Sequence, residues 1–336
     1  MPIDDEFDWI LRCPTRLPPV QEYRYGSLWE MLFAETDEPA DELAVLVGAT
    51  ESGPLRVTLA DLRAAAVHAQ RWCRQTGLRP GDTLSMVRLP RTSEVPIAVA
   101  LIALTAVGIR VVLPMTFDRD TLSKMLSVTS SRGLLWCAAD GLLVNHEEVG
   151  HVDRLLRKAC SQSNVQAYCI ETDLNLSAPI ALTADPEPPA KDVSREVLVL
   201  STSGSTGEPK LVRYTEYALL TVAQSWLAAG LMDEALTGGS SICPTLSHSM
   251  GVRNVLHAVW NRRPTLLIQP EWMEERPKRF VELLESSPPC HVTCGPGLLR
   301  DLGLLARLIT RVRKAFASLR CVVSSGAGRS GTASLA

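Results

Sequence analysis

STSGSTGEPK, Ser201–Lys210, follows the apolar run Val197–Leu200 and sets five hydroxyl side chains, two glycines and one lysine in ten positions. An apolar run of that length, ending in a glycine-hinged polar loop, reads as a buried strand opening into a binding loop. Phosphate oxygens need many donors and a positive counter-charge. Backbone N–H groups around Gly204 and Gly207 can point inward together. Thr202, Ser203, Ser205 and Thr206 add hydroxyl donors, and Lys210 adds a point charge whose position Pro209 stiffens. A polar surface turn is the competing reading of any Ser/Gly cluster. The density of donors, the strand before and the lysine after favour a phosphate cradle. It is not the ordinary P-loop: Gly204 and Lys210 have the spacing, but Pro209 stands at the second glycine and Leu211 at the magnesium-binding Ser/Thr.

Working outward, apolar periodicity predicts alternating strands and helices. Leu59, Leu62, Ala66 and Ala69 share a helix face, and TGLRPGD closes that helix. Strands are expected at Thr83–Leu89, Arg110–Leu113 and in GLLWCA, with helices over Glu94–Val107 and Arg119–Val128. After strand Val197–Leu200 and its loop, a helix carries Leu219, Val222 and Trp226 on one face. Then come a helix from about Gly251 to Trp260, strand PTLLIQ, helix Glu275–Leu284, strand CHVTC, a helix near Leu298–Phe316 and strand LRCVVSS. This pattern predicts an α/β fold with doubly wound, mostly parallel sheets. TADPEPPAK, with three prolines, suits a linker. The expected organisation is therefore an irregular lead-in (1–26), a first α/β subdomain (27–182), a Pro-rich linker (183–192) and a second α/β subdomain (193–336).

Composition narrows the function. Across 336 residues, 46% are hydrophobic and 21% charged, with a net charge of −3. A sizeable core is available, and the balance argues against a nucleic-acid partner held by bulk charge. The apolar stretch Val95–Ile109 is too short for a membrane span, and the acidic N-terminus lacks the order of a signal peptide. The nine cysteines include no CxxC pair and read as reduced core residues of a cytoplasmic protein. His146 and His151 in NHEEVGH are five apart and do not make the HExxH zinc pattern. His291, with Cys290 and Cys294, lacks a second pair of ligands, so it reads as core or strand edge and no metal site is assigned.

The nine residues TSGSTGEPK resemble the phosphate-loop signature of the adenylate-forming superfamily: acyl-CoA synthetases, peptide-synthetase adenylation domains and luciferases. Every fixed position is met; beyond it, Leu211 replaces a usual glycine and Glu216 a frequent histidine. The resemblance extends over most of the chain from Ser27, through GLRPGDTLSMVRLPRTSEVPIAVALIALTAVGIRVVLP, CPTLSHSMGV and LRCVVSSGAGRS.

That resemblance implies the large N-terminal domain of such an enzyme, made of two doubly wound α/β subdomains. It implies ATP and Mg²⁺, with 201–210 on the β- and γ-phosphates. His248 is implied beside the carboxylate substrate, and Ser325, Gly326 and Ala327 beside the adenine and acyl group. A carboxylic acid would be activated and passed to coenzyme A or a carrier-protein thiol. The family's magnesium-binding glutamate, ribose-binding aspartate and C-terminal domain with catalytic lysine are not found in the sequence. The expectation is thus a truncated chain with little activity alone. A non-catalytic nucleotide- or acyl-binding remnant, and the N-terminal half of a split enzyme completed by a separate C-terminal chain, are the alternatives.

Overall fold

The structure, a computed structural model, describes residues 24–50, 53–87, 94–113, 119–137, 146–170, 174, 187–201, 211–228, 240–243, 246, 248–268 and 276–324. Strands run over Ala44–Thr50 (β1), Gly53–Thr58 (β2), Thr83–Val87 (β3), Arg110–Leu113 (β4), Gly133–Trp136 (β5) and Gln166–Cys169 (β6). They continue over Glu196–Ser201 (β7), Leu211–Thr215 (β8), Ser240–Cys243 (β9), Thr265–Leu267 (β10), Pro289–Cys294 (β11) and Cys321–Ser324 (β12). Helices are Leu28–Phe33 (α1), Leu59–Thr76 (α2), Glu94–Ala106 (α3), Arg119–Val128 (α4) and His146–Gln162 (α5). Glu216–Ala228 (α6), Ser249–Asn261 (α7), Pro277–Ser286 (α8), Pro296–Leu308 (α9) and Thr310–Ala315 (α10) follow among the described residues.

Two six-stranded sheets form, ordered β6-β5-β3-β4-β7-β8 and β12-β11-β9-β10-β1-β2. Each is parallel apart from one antiparallel edge strand: β8 on β7 in the first, β2 on β1 in the second. The expected mostly parallel α/β architecture is therefore observed. The division of the chain between sheets differs from the expected one. Hairpin β1–β2 completes the sheet built from β9–β12, and hairpin β7–β8 completes the sheet built from β3–β6. The segment at 183–192 is thus not a boundary between sheets. Its described end packs back on α2, where Gln70 Nε2 donates to the Glu187 carbonyl at 2.6 Å.

The strands of the first sheet are apolar on both faces because both are covered. Leu84, Met86, Val111 and Leu113 join the core on one side, and Val87, Val112, Leu134 and Trp136 the core under α4 and α5 on the other. α8, α9 and α10 cover the outer face of the second sheet. Between the sheets lies α3, which touches β4 of one and β1 of the other. Twelve of its thirteen residues are buried, which explains why its sequence is apolar all round instead of amphipathic.

Two irregular joints fix these layers. α3 ends in a Schellman motif: Ile109 N donates to Leu104 O and Gly108 N to Thr105 O, both at 3.0 Å. Gly108 has φ +84°, and a Cβ there would stand 2.6 Å from Arg195 Nη1. At the other joint, α1 has only six residues, too few to hold a helix by itself, and it is pinned at both ends. Glu216 Oε1 accepts from Leu28 N at 2.7 Å at its start. Arg63 donates to Leu32 O and Ala34 O, each at 2.7 Å, and Arg262 to Met31 O at its end. Gly108→Ala should therefore lower stability by about 1–2 kcal/mol through the positive φ and the clash with Arg195. Urea unfolding checks this; an unchanged midpoint would contradict the role given to Gly108.

Candidate functional site

Ser201 and Leu211 are directly opposed at the last register of the β7–β8 hairpin. The segment 202–210 is therefore the connection of that hairpin, closed at its base by a strand pair. This corrects the expected order, in which the loop opened straight into a helix: β8 intervenes before α6. The difference has a chemical consequence. An ordinary P-loop lends phosphate the N–H groups and dipole of the helix that follows it. Here a strand follows the segment instead. Thr202, Ser203, Gly204, Ser205, Thr206, Gly207 and Lys210 lie outside the described residues, as do Ser325, Gly326 and Ala327. What is described is how their ends are held. Glu196 at the start of β7 ties Arg110 of β4, at 2.9 Å, to Arg213 of β8, at 3.4 Å. Ser325 directly follows β12, whose Ser324 is in register with Cys294 of β11.

His248 is described. It is the N-cap residue of α7, with extended backbone (φ −106°, ψ 147°), and its side chain makes no capping bond. Its carbonyl accepts from Gly251 N at 2.9 Å, and the residue is exposed. The segment leading to it is tied to α3 through the buried Glu94 carboxylate, which accepts from Leu246 N at 3.4 Å. β9, which precedes this segment, and β12, which precedes Ser325, are parallel and separated only by β11. His248 and Ser325 thus follow the carboxyl ends of strands about 10 Å apart, the end where doubly wound sheets bind ligands.

A cavity of about 60 Å³ joins the loop's foundation to the helix that His248 starts. Its walls include Leu198 and Leu200 of β7, Tyr214 of β8, and Ser249, Val252 and Arg253 of α7. Sequence reasoning missed Arg253. The signal was available: a lone arginine within a helix otherwise as apolar as VLHAVW. Burial holds its guanidinium below the usual value.

On another stripe of α7, His257 is buried, with Asn261 Nδ2 2.8 Å from its Nε2. His291 of β11, which the sequence placed in the core or at a strand edge, is buried as well, and its Nε2 lies 3.0 Å from Thr293 Oγ1. Burial pushes His257 down to about 3, helped by the charges of His291 and Arg253, and His291 down to about 4. Neither acts as a base at neutral pH by changing charge. His146 lies on α5, and among the described residues no three His, Cys, Asp or Glu side chains form a metal-binding group.

Comparison with known proteins adds the family. The model of the family described as AMP-binding enzyme matches residues 34–333. No curated protein matches significantly in sequence. Among solved structures, a nonribosomal peptide synthetase in its AMPPNP-bound form aligns with TM-score 0.66 and 16% identity, over 97% of this chain and 34% of that one. A luciferase-like enzyme from the nonluminescent mealworm Zophobas morio gives 0.66 and 14%, over 93% and 68%. A fatty acyl-adenylate ligase from L. pneumophila, in complex with acyl adenylate and pyrophosphate, gives 0.60 and 16%, over 87% and 47%. The chain thus spans between about a third and two thirds of the length of these neighbours. No helix among the described residues is long and apolar enough to cross a membrane.

The buried histidines set an expectation for stability. Unfolded, each takes a proton near pH 6.5; folded, each resists it until about 3 or 4. Their contribution is complete above pH 6.5 and declines as pH falls toward those values, because the unfolded chain then binds more protons. Denaturant titrations at pH 7.5, 5.5 and 4.5 should show a falling midpoint, and His291→Gln should flatten the decline. An equal slope in wild type and variant would contradict this account.

Proposed function

The chain belongs to the AMP-binding enzyme family, and from that membership we propose that it activates a carboxylic acid with ATP. A carboxylate oxygen attacks the α-phosphorus, the new C–O–P linkage forms, the bond to the bridging oxygen of the β-phosphate breaks, and pyrophosphate leaves. The observation that carries this reading is the family match, which runs through the TSGSTGEPK loop and both strands that anchor it. Catalysis of such an in-line displacement is mainly positioning and charge compensation. Loop residues 202–210 hold the β- and γ-phosphates, Lys210 carries the counter-charge, and His248 stands beside the carboxylate. Ser325, Gly326 and Ala327 border the adenine and acyl group.

Magnesium would share the phosphate charge, but the described residues bring together no ligand group for it, and no step of this reading runs through the metal. The acyl group then passes to coenzyme A or a carrier-protein thiol. The reading includes a C-terminal domain bearing the catalytic lysine, on the same polypeptide or a separate chain, with little turnover without it. A cytoplasmic location is part of the proposal, in keeping with six buried, unbridged cysteines.

Pyrophosphate exchange with a panel of carboxylic acids tests it, run on the chain alone and with a C-terminal domain added. Exchange that appears or rises on addition supports the reading. ATP binding without exchange in either case would leave a nucleotide-binding protein without catalysis. Lys210→Ala should weaken ATP on the order of tenfold or more and AMP little, since AMP lacks the phosphates the lysine meets. Calorimetric titration decides, and equal losses for both nucleotides would remove Lys210 from that role.

A further inference from the structure

The amino end of the second sheet, opposite the end that carries the candidate site, is electrically divided. β1, β10, β9, β11 and β12 run parallel, so their amino ends lie together. Residues 35–42, which lead into β1, hold five acidic side chains and no basic one. Glu35, Asp37, Glu38, Asp41 and Glu42 are exposed, and none forms an ion pair with a described residue. Residues 307–320, which lead into β12, hold five basic side chains and no acidic one. Arg311 is paired with Glu285 of α8. Arg307, Arg313, Lys314 and Arg320 are exposed and have no ion-pair partner among the described residues. Two bonds hold this segment at the start of β11. Ser318 Oγ donates to Pro289 O at 3.0 Å, and Arg320 N to Cys290 O at 2.8 Å.

The two groups are too far apart to answer each other within one chain. β1 and β12 are four strand steps apart in the order β12-β11-β9-β10-β1, about 19 Å at the usual spacing. That exceeds the Debye length of about 8 Å at physiological salt, so each group stays uncompensated. Arg263, exposed ahead of β10, stands between them. A polyanion or an anionic lipid surface would draw the basic half and be repelled by the acidic half at the same end. A second copy of this chain answers both. Turned about a two-fold axis along the sheet normal at β9, it sets its basic half on the first copy's acidic half and receives the converse. Four of the five basic residues are arginines, whose planar fork matches carboxylates. Leu308, 72% exposed beside Arg307, adds apolar surface for such a contact to cover.

We propose that the chain forms a two-fold dimer through the amino end of its second sheet, residues 35–42 of each copy against 307–320 of the other. The carboxyl ends of β9 and β12, which precede His248 and Ser325, then point away from the contact and stay open. The proposal is independent of the adenylation reading.

Sedimentation velocity on the full chain tests it. A two-chain species is expected at about 0.05 M salt, with association weakened at least about tenfold at about 0.5 M. Arg313→Glu with Lys314→Glu should weaken it at least about tenfold, and so should Glu38→Arg with Asp41→Arg. An equal mixture of the two variants should restore the two-chain species, because it sets unaltered half against unaltered half and reversed against reversed. Restoration also shows that both variants fold. Single chains at low salt in the unaltered protein overturn the proposal, without need of any variant. So does a dimer indifferent to salt, or a mixture that stays single although circular dichroism shows both variants folded. Growth beyond two chains overturns the two-fold arrangement. A chain that stays single and instead binds phosphatidylserine–phosphatidylcholine vesicles also overturns it.

Discussion

Burial of α3 on every side is the constraint from which the rest of the architecture follows. A helix with twelve of thirteen residues out of water must be covered by more than one layer, and here α2 packs along it, with α1 and strands β4 and β1 of the two sheets completing the cover. Both ends of that helix then become fixed reference points. At its C-terminus, the left-handed Gly108 turns the chain sharply into β4, and Arg195 packs against the space where a side chain would be. At its N-terminus, Glu94 reaches the amide of Leu246, two residues before His248. The position of the candidate substrate-facing histidine is thus set by the same helix that holds the sheets together.

The segment 202–210 joins two strands, unlike an ordinary P-loop, which leads into a helix. A segment followed by a strand has no helix N-terminus to lend it amides and dipole, and under the adenylation reading its five hydroxyls and lysine would make up for that. The closing pair Ser201–Leu211 and the Glu196 bridge to Arg110 and Arg213 also give the loop a rigid base. Exposed ion pairs of this kind add little stability, but between adjacent strands they help hold the register on which the loop's geometry depends.

Much of this was legible in the sequence where the signal was local. α3, β3, β4, β5 and β7 follow from apolar runs bounded by glycine, proline or charge, and the Leu59–Ala69 face of α2 from its period. The exchange of hairpins was not legible. β1 and β2 were not anticipated and β7 was expected in the second subdomain, and only non-local pairing sends each hairpin to the other sheet. β8 was lost because the sequence after Lys210, LVRYTEYALL, is equally good as the first turn of a helix. α1 was lost because a six-residue helix has no periodicity to detect; Glu216, Arg63 and Arg262 hold it from far along the chain. Of the candidate site, the loop and His248 were visible as motifs. Arg253 was missed, although its standing as the one charged residue of helix α7 is visible in the sequence.

α7 brings these threads together, because its two stripes are asked to do opposite things. Ser249, Val252, Arg253 and Leu256, at spacings of three and four, face the cavity. Asn254, His257 and Asn261 recur at similar spacing on a second stripe, and His257 is close enough to His291 of β11 for that ring to disfavour charge on it. A cation on the first stripe makes a neighbouring imidazolium still less favourable, and Arg253 does contribute to keeping His257 neutral. The helix therefore carries one charge, next to the cavity, and keeps its sheet-facing side uncharged.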